Sequence, residues 1–132
     1  MAMSTYLRDK LLNHALCGTV YTAPATKYLA LMTTAPTDAG GGVEISTTGT
    51  GYARKSGTFA LTAGTASTAS KASLTAAVEF AAATSNWGTI THVAVYDALT
   101  GGNLLFWSPI DVPKNIGSGD VYREGSLSID LI

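Results

Sequence analysis

The sequence predicts a mostly β fold, a β-sandwich or jelly-roll-like barrel of about seven to nine short strands, with one N-terminal α-helix. Three observations carry this expectation. Apolar and polar residues alternate over short runs, most cleanly where Leu127, Ile129 and Leu131 interleave with Ser126, Ser128 and Asp130. Clusters of Gly, Pro, Asn and Asp punctuate the chain roughly every 8–12 residues, the spacing of turns between short strands. Helical spacing occurs once, where Leu7, Leu11 and Ala15 share a face with Leu12 and Leu16 beside them. At 132 residues the chain has the size of one domain, with the helix at about 5–16 and the β part at about 26–132. That length can bury a core without disulfide staples.

Taken in order, Ser4 or Thr5 caps a helix that runs to about Leu16. Lys10 and His14 lie toward its C-terminal end, where cations favour the helix dipole, and Gly18 ends it. So short a helix is marginal alone, so it must dock on the sheet or on a neighbouring chain. Lys27 to Thr33 reads as a strand with Tyr28, Ala30 and Met32 on one face and Leu29 and Leu31 on the other. Both faces are apolar, as in a strand covered on two sides. Ala35 to Gly42 is a loop, Val43 to Ile45 a short edge strand, and Thr47 to Gly51 a turn. Tyr52 to Phe59 is expected to be a strand, with Tyr52 and Arg54 on one face and Lys55 on the other. The run of Ala, Thr and Ser from Ala60 to Ala77 fits either a flexible arm or a flat, closely packed strand pair. Val78 to Phe80 is a strand, and Ala81 to Asn86 a loop or helical turn.

The organising stretch is Asn86 to Ser108, read as two strands and a turn. Ile90, His92, Ala94 and Tyr96 are expected on one face, and Thr91, Val93 and Val95 on the other. Asp97 to Asn103 suits a hairpin loop longer than two residues. Leu104 to Trp107 returns as a strand, which Pro109 is expected to stop because proline has no N–H for a ladder. Asp111 to Asp120 is turn-rich. Trp87 and Trp107 flank the unit, and each ring can remove roughly 150–250 Å² from water, so both are candidate core anchors. His92, in the middle of an apolar strand, is a third.

Composition narrows the function. Only 13% of residues are charged and the net charge is -1, which leaves no field to draw nucleic acid or an anionic membrane. A Thr-rich surface with so little charge fits a protein that lives in an assembly. Cys17 is alone, so there is no internal disulfide and no Cys-rich metal site. No stretch reads as a transmembrane helix. Arg8 and Lys10 before Leu11 and Leu12 faintly imitate a signal peptide, but Asn13 and His14 interrupt the apolar run, so synthesis in the cytoplasm is expected.

Catalytic patterns are missing from the sequence. With only His14 and His92, no zinc spacing exists, and no cofactor is expected. Cys17, His92 and Asp97 contain the residue types of a nucleophilic trio, but their spacing does not support one. The glycines at 40–42 and 49–51 do not form a phosphate-binding loop. Tyr52, Arg54 and Lys55 make one basic-aromatic cluster, better read as a strand-face salt bridge or an interface contact than as a nucleic-acid site. Met1 and Met3 precede the helix cap with nothing local to bury them, so they are interface candidates alongside Tyr52 and Arg54. Trp87, Trp107 or Tyr52, if exposed, could instead serve as stacking platforms for carbohydrate.

Three motifs carry a resemblance. Gly51 to Arg54 (GYAR), Trp87 to His92 (WGTITH) and Thr100 to Leu105 (TGGNLL), in this order, resemble a family of short tailed-bacteriophage virion proteins often labelled tail-fibre-like. The chain also resembles, in size, phage capsid decoration or cement proteins. The likeness spans Tyr6 to the last strand, while Val121 to Gly125 carries more charge than the family pattern. It implies a virion structural role without catalysis. The expectation is a capsid decoration protein binding the major capsid protein or other virion proteins as a symmetric homo-oligomer, a trimer. The alternatives are a tail-fibre or tail-tip component, and a carbohydrate-binding module facing the host.

Overall fold

The computed structural model describes residues 2–131. They form strand β1 (Ala2–Met3), helix α1 (Thr5–Leu16), β2 (Lys27–Thr34), β3 (Val43–Glu44), β4 (Lys55–Gly57) and β5 (Phe59–Thr62). There follow β6 (Ser70–Leu74), β7 (Val78–Glu79), β8 (Gly88–Tyr96), β9 (Leu104–Ile116), β10 (Arg123–Glu124) and β11 (Ser128–Leu131). The fold is mostly β with one N-terminal helix. The strands exceed the expected seven to nine because several are two-residue pairings and because the strand expected over Tyr52–Phe59 is divided. Tyr52 to Arg54 lie outside any strand, β4 pairs with β2, and after Thr58 the chain crosses to a different sheet as β5.

The main sheet is antiparallel in the order β1-β9-β8-β2-β3, with β4 also pairing to β2. It is open-ended, and one face is covered by the three-stranded sheet β11-β6-β5 and the ribbon β10-β7. The arrangement is therefore layered, as in a sandwich, and the main sheet does not close into a barrel. Leu29 and Leu31 of β2, Val93 and Val95 of β8 and Phe106 of β9 meet Val78, Phe80, Tyr122 and Leu127 in one core. The Phe59 ring stands edge-on to Phe106 across the two layers, with centroids 5.7 Å apart. On the opposite face Ala30, Met32, Ala94 and Leu104 form a second cluster roofed by Tyr96 and Trp107. Leu29 to Met32 is thus buried on both sides, as the two apolar faces of the strand require.

The helix begins where expected. The Ser4 hydroxyl accepts from the Leu7 N–H at 3.1 Å, and Gly18, at φ 77°, turns the chain away after the last turn. Only its first half docks: Tyr6 and Leu7 pack on the core, whereas Leu12 and Leu16 are exposed. The Ala/Thr/Ser run is the strand pair β5–β6, with Leu61 opposite Ala72.

Two expectations at the central hairpin are corrected. Ile90 does not share a face with His92 and Ala94; it joins Val93 and Val95 in the main core. A register shift between Ile90 and His92 reverses the alternation there. Pro109 does not end β9, which continues to Ile116. It is tolerated because β1 pairs only with Phe106 and Trp107, leaving β9 an edge strand beyond them, and because Pro109 is the last pair before the irregularity interrupts the ladder.

Candidate assembly surface

The first motif touches each of the other two: Tyr52 packs on Trp87, and Arg54 reaches Gly101 past the far end of β8. Arg54 is 8% exposed although it is charged. Its Nε and Nη2 donate to the two carboxylate oxygens of Glu44 at 2.9 and 2.8 Å, a two-pronged pairing that fits the planar guanidinium. Its Nη1 donates to the carbonyls of Ala98 and Gly101, both at 2.8 Å, and so holds the turn between β8 and β9. The guanidinium lies 3.9 Å above the Tyr96 ring. Burial is the largest single influence and works against the Arg54 charge, but the hydrogen bond and charge of Glu44, with Tyr52 and Tyr96, together outweigh it and raise the pKa. The Tyr52 hydroxyl donates to Glu44 at 2.6 Å and accepts from the Leu31 N–H at 3.1 Å. Burial, reinforced by Glu44, pushes that hydroxyl far above the usual tyrosine range. Trp87 stands edge-on to Tyr52 at 5.5 Å and donates from Nε1 to the Thr50 carbonyl at 2.8 Å.

The turn is closed from its own side as well. Asp97 accepts from the Asn103 backbone N–H at 2.7 Å and from its side-chain amide at 2.9 Å. Gly102 has φ 74°, and a Cβ there would come within 2.5 Å of Asp97 Oδ1 and 2.7 Å of Ala98 Cβ. Only glycine fits the tight turn. The geometry is structural: each polar group engaged here points at another part of the same chain.

Tyr52 and Arg54, expected at an interface, are therefore turned inward and offer a partner little surface. Tyr52 and Trp87 are likewise too buried, at 3% and 5% exposed, to stack on a sugar. His92 and Trp107 lie on the second face of the main sheet, half-buried, with ring centroids 5.8 Å apart. Burial lowers the His92 pKa, and its Nδ1 lies 2.8 Å from Thr91 Oγ1. Trp107 Nε1 is shielded from water without a hydrogen-bond partner among the described residues, a polar cost within that cluster. Cys17 is exposed at the end of α1, Asp97 is engaged with Asn103, and neither hydrogen-bonds His92. Among the described residues, no group of three or more potential ligands could hold a metal. No helix there is long and apolar enough to cross a membrane.

Unsatisfied surface lies elsewhere. Between α1 and the three-stranded sheet runs an apolar groove of about 280 Å³. Met3, Leu7 and Leu11 form one wall, and Phe59, Leu61 and Ile129 line the other. Leu61 is 75% exposed and Leu131, at the groove's end, 54%. Strand β5 is also an outer edge of its sheet and carries no charge along Phe59–Thr62, so neither of the usual guards against edge pairing, charge or proline, is present. Of the interface candidates from sequence, Met3 lies in this groove, and Met1 lies outside the described residues. The alternation Phe59-Ala60-Leu61-Thr62 was the available signal for the β5 wall, diluted by the small residues that follow it.

The comparisons agree with a phage structural protein. Residues 2–131 match the family described as Gp80, Podophage GP4 fiber I protein gp80, and the chain belongs to that family. Among curated proteins no match is found.

Proposed function

We propose that this chain is a non-enzymatic building block of a phage fibre, in which helix and strands act as one unit that associates with copies of itself. The fibre family match over residues 2–131 carries the reading. The apolar groove supports it, since exposed contiguous apolar surface on a folded chain marks an interaction site. The sparse charge supports it too, because little like-charge repulsion opposes packing of identical chains. A fibre is favoured over capsid decoration because the family description names a fibre. Immunogold electron microscopy of virions, with antibody to this chain, tests the placement. Gold on the fibres is expected; gold spread over the head shell would return the chain to the decoration reading.

A further inference from the structure

Strand β5 turns backbone groups toward its open edge. On its inner side it pairs with β6, from Phe59 opposite Leu74 to Thr62 opposite Lys71. One residue before Phe59, in the same register, the Thr75 N–H donates to the Thr58 carbonyl at 2.9 Å. Along an antiparallel strand, residues alternate between bonding to one neighbour and bonding to the other. Thr58, Ala60 and Thr62 therefore bond toward β6, and Phe59 and Leu61 point their N–H and C=O groups outward. No other strand pairs with that side among the described residues, and neither backbone finds a hydrogen-bond partner there.

This edge is complementary to itself. Laid antiparallel on a second copy about a two-fold axis, with Ala60 opposite Ala60, it sets Phe59 of each chain opposite Leu61 of the other. Every outward N–H and C=O of Phe59 and Leu61 then has a partner. The residues at the axis form the close, non-hydrogen-bonded pair of the ladder, where two alanines fit without crowding. Leu61, 75% exposed in the single chain, gains the Phe59 ring as its cross-strand neighbour. The pairing buries no charge, since β5 carries none. The other free edges of three or more described residues do carry charge: Lys55 in β4, Asp130 in β11, and Asp111 and Lys114 in β9 beyond Trp107.

Resting on the self-association reading, we propose that two copies of this chain pair β5 to β5 in this register, joining their three-stranded sheets into one across a two-fold axis. The contact is isologous, so it closes at a pair, and it brings the two apolar grooves side by side.

Ala60 is exposed and lies on the face of β5 opposite the groove-lining Phe59 and Leu61, so charge placed there tests the pairing without entering the core. The test uses a Cys17→Ser background, with sedimentation velocity reading association and circular dichroism confirming the fold. Ala60→Lys alone and Ala60→Glu alone should each weaken association about tenfold or more, because the axis sets like charges face to face. An equimolar mixture of the two should restore most of it. If the unaltered chain associates and either single change leaves that association intact, the β5 pairing is wrong while self-association stands. Weakening by both without rescue in the mixture also overturns the pairing. If the unaltered chain stays monomeric, self-association falls and the pairing with it. Blocked virion incorporation of Ala60→Lys would then assign the edge to a strand of a different virion protein.

Discussion

Around Arg54 the polar groups that leave water find partners within the chain, whereas beside α1 apolar side chains that could leave water do not. Both regions combine a strand edge with a loop or helix, and both contain residues that look adhesive in sequence. Their energetics differ. A buried guanidinium without partners would cost several kcal/mol, so Glu44, two turn carbonyls and the Tyr96 ring must all be in place for Arg54 to be tolerated. The exposed Leu61 incurs no such penalty; burying it would contribute about 1.5–3 kcal/mol, available to any surface that covers it. A charged and aromatic cluster can thus be entirely internal business, and an unremarkable leucine in an Ala/Thr-rich run can be the side chain left for a partner.

The largest effect should come from the aromatic side of the locked corner. Trp87→Ala removes a ring that packs on Tyr52 and donates to Thr50, and should destabilise the chain by about 3–5 kcal/mol in urea unfolding. An unchanged midpoint would mean that the corner is not part of the cooperative core. Arg54→Met keeps the stem but removes every bond to Glu44 and to the turn. It should cost about 2–3 kcal/mol and accelerate amide exchange over residues 97–103 ahead of the rest of the chain. Exchange that rises uniformly would show that Arg54 supports the sheet generally and does not hold the turn.

The smallest effect separates the locked corner from the second face. Burial lowers the His92 pKa below its ordinary 6.5, so the folded chain binds fewer protons than the unfolded chain in that range. The stability involved is present above the ordinary value and is lost as pH falls from there through the folded value. Melting temperature should therefore drop slightly on acidification below about pH 6.5, and the drop should be smaller in His92→Gln. Equal slopes in the two proteins would place His92 in an environment as wet in the folded chain as in the unfolded one.

Much of this architecture was legible in the sequence because it depends on neighbours a few residues apart. The Ser4 cap, the Gly18 stop, the two-faced burial of Leu29 to Met32 and the turn over Asp97 to Asn103 all follow local rules. Arg54 was visible as a candidate, but its role was not, since its carbonyl partners at Ala98 and Gly101 lie more than forty positions away, at separations of 44 and 47. Nor does alternation reveal where it breaks. The shift that moves Ile90 into the main core and carries β9 past Pro109 depends on pairing between strands, and the crossing at Thr58 depends on which sheet has a free edge. The groove was half legible: the leucine stripe of α1 asked for a cover, but the sequence did not show that the sheet covers only its first half.

The contrast between a corner that is satisfied and a groove that is not can be tested most directly by sedimentation velocity on Arg54→Met and Leu61→Glu, each held below its melting temperature. Arg54→Met should sediment as the unaltered chain does, despite its lower melting temperature. Leu61→Glu should sediment as a smaller species while melting normally. Dissociation of folded Arg54→Met, together with intact assembly of Leu61→Glu, would contradict the account.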